Sequence, residues 1–214
     1  MEKIVKKSAS KKQCLFEVAW ETCNQVGGIY TVIRTKVPSM VEKWADDYTL
    51  LGPYFTHTAA AEFEPQEVPE DDTPINNSIR SLRSQGLKVY YGHWLITGKP
   101  KIILFDLDSV YHQIDAIKGR IWENHRISTL GVEELVNQTI AFGEMVRLFI
   151  TQLALENKSK KEIIVHFHEW MASTCLPDLR KDKVKISTVF TTHATMLGRY
   201  LAGNVPNFYE VIDQ

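Results

Sequence analysis

The chain has 214 residues, with 25 basic and 26 acidic side chains and a formal net charge of -1. Hydrophobic residues make up 44% and charged residues 24%, the balance of an ordinary globular protein with a sizeable core. Near-neutral charge argues against a nucleic-acid or membrane-surface binder, and no apolar run reaches membrane-spanning length.

Residues 1–12 gather lysines and read as a basic flexible tail. Cys14 to Ala19 reads as a first, mostly buried strand. Gly27-Gly28 then opens a helix whose Ile29, Val32, Ile33 and Val37 fall at helical spacing. Tyr48 to Leu51 is a short strand stopped by Gly52-Pro53. The segment from Glu62 to Pro74, aperiodic and rich in Pro, Glu and Asp, reads as a surface loop.

Ile75 to Gln85 predicts a helix with Ile75, Ile79 and Leu82 on one face and Gly86 closing it. Lys88 to Tyr91 and Lys101 to Phe105 read as strands. Val132 to Leu155 is the longest helical pattern. Two apolar strands follow, one ending in His166-Phe167-His168-Glu169-Trp170 and one, Ile186 to Thr191, ending in Thr192-His193-Ala194. A helix from Met171 to Arg180 lies between them. Apolar strands alternating with amphipathic helices argue an α/β fold, a mostly parallel sheet with helices on both faces.

Cys14, Cys23 and Cys175 show no CxxC spacing. An odd count with no secretory leader points to a reducing compartment and a cytoplasmic location. The chain runs to Phe208–Gln214 with no stop signal, as expected of a piece of a longer protein.

Strand ends loaded with ionisable groups are where α/β folds build sites. Asn24-Gln25-Val26-Gly27-Gly28 lies between the first strand and helix. Its glycines let backbone approach a ligand, and the helix N-terminus suits an anion such as a diphosphate. The stretch is not G-x-G-x-x-G, and a plain tight turn is an equal reading.

His166 and His168 point to one side of a strand and could ligate a metal. No accompanying Asp-His pair or His-Glu-x-x-His supports that, so hydrogen bonding to sugar or phosphate is the better reading. His166, within the strand, reads as a core residue, and His168, at its end, as a site residue. Asp106-Leu107-Asp108 mimics a cation-binding Asp-x-Asp, but Ser109 beside it favours a turn cap. Trp44, Trp94 and Trp122 read as core, and Trp170 as a ring free to stack on a ligand.

Taken in order, Phe16-Glu17-Val18-Ala19-Trp20-Glu21, Val26-Gly27-Gly28-Ile29-Tyr30, Leu51-Gly52-Pro53-Tyr54, Trp94-Leu95-Ile96, Ile103-Leu104-Phe105-Asp106-Leu107-Asp108-Ser109, His166-Phe167-His168-Glu169-Trp170, Phe190-Thr191-Thr192-His193-Ala194-Thr195 and Leu197-Gly198-Arg199-Tyr200-Leu201 resemble the N-terminal part of eukaryotic-type, UDP-glucose-using glycogen synthases. The resemblance implies residues 13–214 as the N-terminal Rossmann-like domain of a GT-B glycosyltransferase, with the C-terminal nucleotide-binding domain absent from this sequence.

It further implies retaining transfer of glucose from UDP-glucose, or alternatively ADP-glucose, to the 4-hydroxyl end of an α-1,4-glucan, with no metal and no cofactor. Gly27 and Gly28 would approach the donor diphosphate. His168 would be the catalytic residue, contacting the donor sugar, and His193, Glu169 and Trp170 would line the cleft. Gln25 stands where the family pattern carries Lys or Arg, a neutral amide in place of a cation. The partners implied are the sugar nucleotide and the glucan, with a homo-oligomeric full-length enzyme. The chain alone should be inactive. The competing readings are a free-standing glucan- or nucleotide-binding module and a metal-dependent hydrolase using His166, His168 and His193.

Overall fold

A computed structural model describes residues 12–158 and 161–211. The elements run β1 (Gln13–Ala19), α1 (Gly28–Trp44), β2 (Tyr48–Pro53), α2 (Thr56–Glu62), β3 (Phe63–Pro65), α3 (Pro74–Ser84), β4 (Val89–Trp94) and β5 (Lys101–Phe105). They continue through α4 (Asp108–Tyr111), α5 (Ile114–His125), α6 (Glu134–Glu156), β6 (Glu162–His168), α7 (Glu169–Ser173), α8 (Leu176–Lys181), β7 (Ser187–Thr191), α9 (Met196–Asn204) and α10 (Phe208–Val211).

The strands form one sheet in the order β3-β4-β5-β2-β1-β6-β7. β5, β2, β1, β6 and β7 are parallel, and β4 and β3 add antiparallel at one end. The chain steps from β1 to β2, crosses to the edge pair β3 and β4, comes back to lay β5 between β4 and β2, and then places β6 and β7 on the other side of β1. The reversal of direction falls between β1 and β6, where open α/β sheets keep their ligand crevice.

Strand alternation divides the core into two layers. Phe16 and Val18 of β1, with Val165 and Phe167 of β6, pack against Phe142, Val146 and Phe149 of α6. Leu15 and Ala19, with Leu50 and Leu104, pack under Tyr30, Ile33 and Val37 of α1. Where α6 passes the turn between α7 and α8, a Cβ on Gly143 would stand 2.0 Å from Thr174 Oγ1, so only glycine permits the approach. At the rim of this layer Arg120, Glu144, Arg147, His125 and Asp178 form a charged network joining α5, α6 and α8.

The α/β architecture expected from the sequence is present, with local corrections. The segment 62–74 is not all loop: Glu62 ends α2 and Phe63–Pro65 pairs with β4. That pairing is tight, since a Cβ on Gly92 would lie 2.0 Å from the Glu64 carbonyl oxygen. In α1 the inward residues are Tyr30, Ile33 and Val37, whereas Val32 is 43% exposed. The predicted helix 171–180 is two short ones, α7 and α8, broken before Pro177. Trp94 is fully buried as expected, but Trp122 is 48% exposed, with the Arg126 guanidinium over its ring. The basic tail, Lys12 excepted, and residues 212–214 lie outside the described residues. No helix among the described residues is long and apolar enough to cross a membrane.

Candidate functional site

The segments following β1, β6 and β7 leave the same edge of the sheet on either side of the topological reversal. Two non-glycine residues with left-handed backbone sit there, Cys23 (φ 54°) after β1 and Glu169 (φ 63°) after β6. Such conformations cost energy and persist where the surroundings impose them.

Glu17 is the centre of the arrangement. Sharing a strand face with Leu15 and Ala19, its side chain falls on the α1 side of the sheet and is fully buried. A carboxylate in that place requires donors, and four supply them. Lys36 from α1 and the Tyr48 hydroxyl from β2 bond to it, and His168 Nε2 lies 2.7 Å and His166 Nδ1 3.3 Å from Oε1. The register explains the convergence, because Glu17 is paired with His166 across β1 and β6, and Ala19 with His168. Burial alone would raise the Glu17 pKa. The histidine hydrogen bonds and the Lys36 charge outweigh it and hold the group ionised, well below the usual carboxylate range.

His168 is 2% exposed and carries a second contact, its Nδ1 lying 2.9 Å from His193 Nε2. Burial pushes its pKa below the ordinary histidine value, opposed by the Glu17 hydrogen bond. His193 is exposed and covers it. The segment bearing His193 is clamped by Glu169, whose Oε1 accepts the backbone N–H of His193, the N–H of Ala194 at 2.8 Å and the Thr192 hydroxyl at 3.1 Å. Burial tends to raise the Glu169 pKa, and these bonds lower it further than burial lifts it.

At the end of β1, Gln25, Gly27 and Gly28 are exposed. Glu21, itself buried, turns its Oε2 onto the backbone N–H groups of Gly27 and Tyr30, both at 2.8 Å. Part of the α1 N-terminus is thus already satisfied by a carboxylate. Gly28 has no neighbour within 4 Å of a Cβ position, so backbone there is open to a ligand.

The structure therefore brings His166, His168, Glu169 and His193 together and adds Glu17, Lys36, Tyr48 and Glu21, which the sequence reading did not single out as site residues. The signal for Glu17 was present, since an acidic residue inside an apolar strand needs partners and His-x-His offers them. The expected split of the histidine pair is corrected. His166 is the more accessible, with 20% of its side chain exposed and its Nε2 2.8 Å from Thr191 Oγ1, while His168 is the buried member. Glu169 spends its carboxylate on the chain itself. Trp170 is 46% exposed and its ring is accessible.

Asp106 caps its own turn, accepting the Asp108 N–H at 3.0 Å, as the cap reading predicted, whereas Ser109 accepts the N–H of the distant Lys88 at 2.9 Å. Asp106, Leu107 and Asp108 line a cleft of about 460 Å³ at the same sheet edge, with the stacked rings of Tyr54 and Tyr90. All three cysteines are free thiols buried in the fold. Burial pushes the thiol of Cys14 to about 11 and those of Cys23 and Cys175 to about 12.

Glu17, His166 and His168 each offer one ligand atom within 4.8 Å of the others, the spacing of a three-ligand cation cluster. The Lys36 ammonium already sits on the Glu17 oxygen that a cation would need.

A family model described as glycogen synthase matches residues 17–214. The chain is 42% identical over 203 residues to glycogen [starch] synthase isoform 1 of Saccharomyces cerevisiae, covering 91% of this chain and 28% of the relative. It is 38% identical over 199 residues to glycogen [starch] synthase of Neurospora crassa, with 93% and 28% covered. Against the liver glycogen [starch] synthase of Rattus norvegicus it is 38% identical over 200 residues, with 94% and 28% covered. The chain thus spans little more than a quarter of the length of these relatives.

Proposed function

Because the chain belongs to the glycogen synthase family, we propose that it forms one wall of the cleft of a GT-B glycosyltransferase. The enzyme transfers glucose, with retention, from UDP-glucose to the 4-hydroxyl end of an α-1,4-glucan in the cytoplasm. ADP-glucose is the alternative donor. The observation that carries the reading is the chain of hydrogen bonds from Glu17 through His168 to the exposed His193, beside the Gly27-Gly28 turn at the reversal of the sheet.

In this reading His193 is the ring that meets the donor sugar. His168, buried beneath it, acts through it and through its main chain rather than by direct contact of its own ring. Open backbone at Gly28 faces the diphosphate, with the Gln25 amide as a neutral donor, and Trp170 offers a stacking face to sugar. The remaining wall belongs to a further domain of the longer, homo-oligomeric enzyme. Neither nucleic acid nor membrane takes part.

Transfer of labelled glucose from UDP-glucose into glycogen tests the proposal. The full-length enzyme should incorporate label and the 214-residue chain should not. Incorporation by the isolated chain would overturn the half-cleft reading, and none by the full-length enzyme would overturn the activity.

The spacing of Glu17, His166 and His168 supports a second reading, a metal-dependent hydrolase that would also draw on His193. Stoichiometric zinc, manganese or iron in elemental analysis of the purified protein would favour it over the transferase.

A further inference from the structure

We propose that Glu17 and His168 are positioning residues that hold His193 in one tautomer, with the proton on Nε2 and Nδ1 left as a bare acceptor. The inference deepens the reading of His193 as the sugar-contacting ring and rests on it.

Glu17, ionised and buried, can only accept, and Lys36, Tyr48, His166 and His168 all approach it. His168 must therefore carry a proton on the Nε2 that lies 2.7 Å from the carboxylate. The ring is 2% exposed and its carboxylate partner already holds the Lys36 ammonium, so a second ring proton would have no free counter-charge; that N–H is its only one and its Nδ1 is an unprotonated acceptor. His193 Nε2 stands 2.9 Å from that lone pair, so His193 must be the donor of this bond.

A neutral His193 with its proton on Nε2 has a bare Nδ1, which bonds to no partner among the described residues. That atom is suited to accept from a hydroxyl of a bound sugar. A carboxylate holding a histidine in its working tautomer is an established catalytic device; here a second histidine is interposed. His166 does not share the relay. Its ring bonds to Glu17 and Thr191 and ends there.

Nitrogen NMR of the histidine-labelled protein reads the ring states directly, through couplings that separate protonated from bare nitrogens. At pH 7.5 His193 should show one tautomer, protonated at Nε2. In His168→Phe, which keeps a ring in the buried slot, His193 should revert to an exchanging mixture. A His193 protonated at Nδ1 in the unsubstituted protein overturns the relay. A folded His168→Phe protein with an unchanged single tautomer does the same. The unsubstituted measurement decides even where the variant fails to fold. If the ring state is as inferred but the full-length enzyme transfers no glucose, the functional reading fails and the relay stands. Full activity with the opposite tautomer removes the relay alone.

Discussion

The Glu21 carboxylate reaches across the β1–α1 turn to the backbone N–H of Gly27 at 2.8 Å, and with the same oxygen to that of Tyr30. It acts as the N-terminal cap that α1 otherwise lacks, since Gly27 has no side chain to do so. Replacing it with alanine leaves those donors unmet and removes a favourable charge at the positive end of the helix. Glu21→Ala should cost about 1 kcal/mol, read as a lowered urea midpoint with unchanged slope.

Gln25 is exposed beside that turn and carries no charge. If it faces the donor phosphates, Gln25→Arg should tighten UDP-glucose binding to the full-length enzyme by about 1 kcal/mol, roughly a fivefold drop in Kd by calorimetry. Unchanged affinity would mean that the residue looks elsewhere.

His193 and His168 should separate function from stability. His193 is exposed, so His193→Ala should lower glucosyl transfer by about a hundredfold while the melting temperature stays put. His168→Ala removes a buried ring and one donor to Glu17, so activity and melting temperature should fall together. A His193→Ala enzyme with normal turnover would remove that ring from the reaction.

The buried network also sets a direction for pH. His168 has a lowered pKa in the folded state, so the unfolded chain binds its proton more readily. Its contribution is complete above the ordinary histidine value near 6.5 and is lost as pH falls from there. Glu17, also lowered, keeps its contribution down to the ordinary carboxylate value of 4.5 and loses it below. Lys36, Tyr48, His166 and His193 face the pair and complete the set of groups involved. Chemical denaturation at pH 7.5, 6 and 5 should show declining stability, and His168→Phe should flatten the decline above pH 5.

Gly143 tests the packing of α6. A methyl group there would stand 2.0 Å from Thr174 Oγ1 and 3.2 Å from the Cys175 nitrogen. Gly143→Ala gains helix propensity but should still destabilise by about 1–3 kcal/mol, because the turn between α7 and α8 has to move.

Much of this molecule is readable in one dimension. The strands β1, β2, β5, β6 and β7 show as apolar runs, and α6 shows by its period, because burial against a sheet forces those patterns. β3 escaped because three residues carry no pattern and their pairing depends on Gly92 letting the neighbouring backbone approach. The site was half legible. Histidines at strand ends announce themselves, but which of His166 and His168 is buried depends on the covering His193, 25 residues further on, which spacing does not encode. Glu17 and His168 are 151 positions apart and meet through the β1–β6 register, while Lys36, 19 positions from Glu17, reaches it from α1 packed over the sheet.

That separation has a bearing on how the molecule is made. Strand β1 emerges first but carries a carboxylate whose histidine partners come 149 and 151 residues later. Until β6 docks, Glu17 has only Lys36 and the Tyr48 hydroxyl as partners, and the two histidine donors at the centre of the sheet are missing. The site is therefore assembled late, and contacts of such long range slow the folding rate.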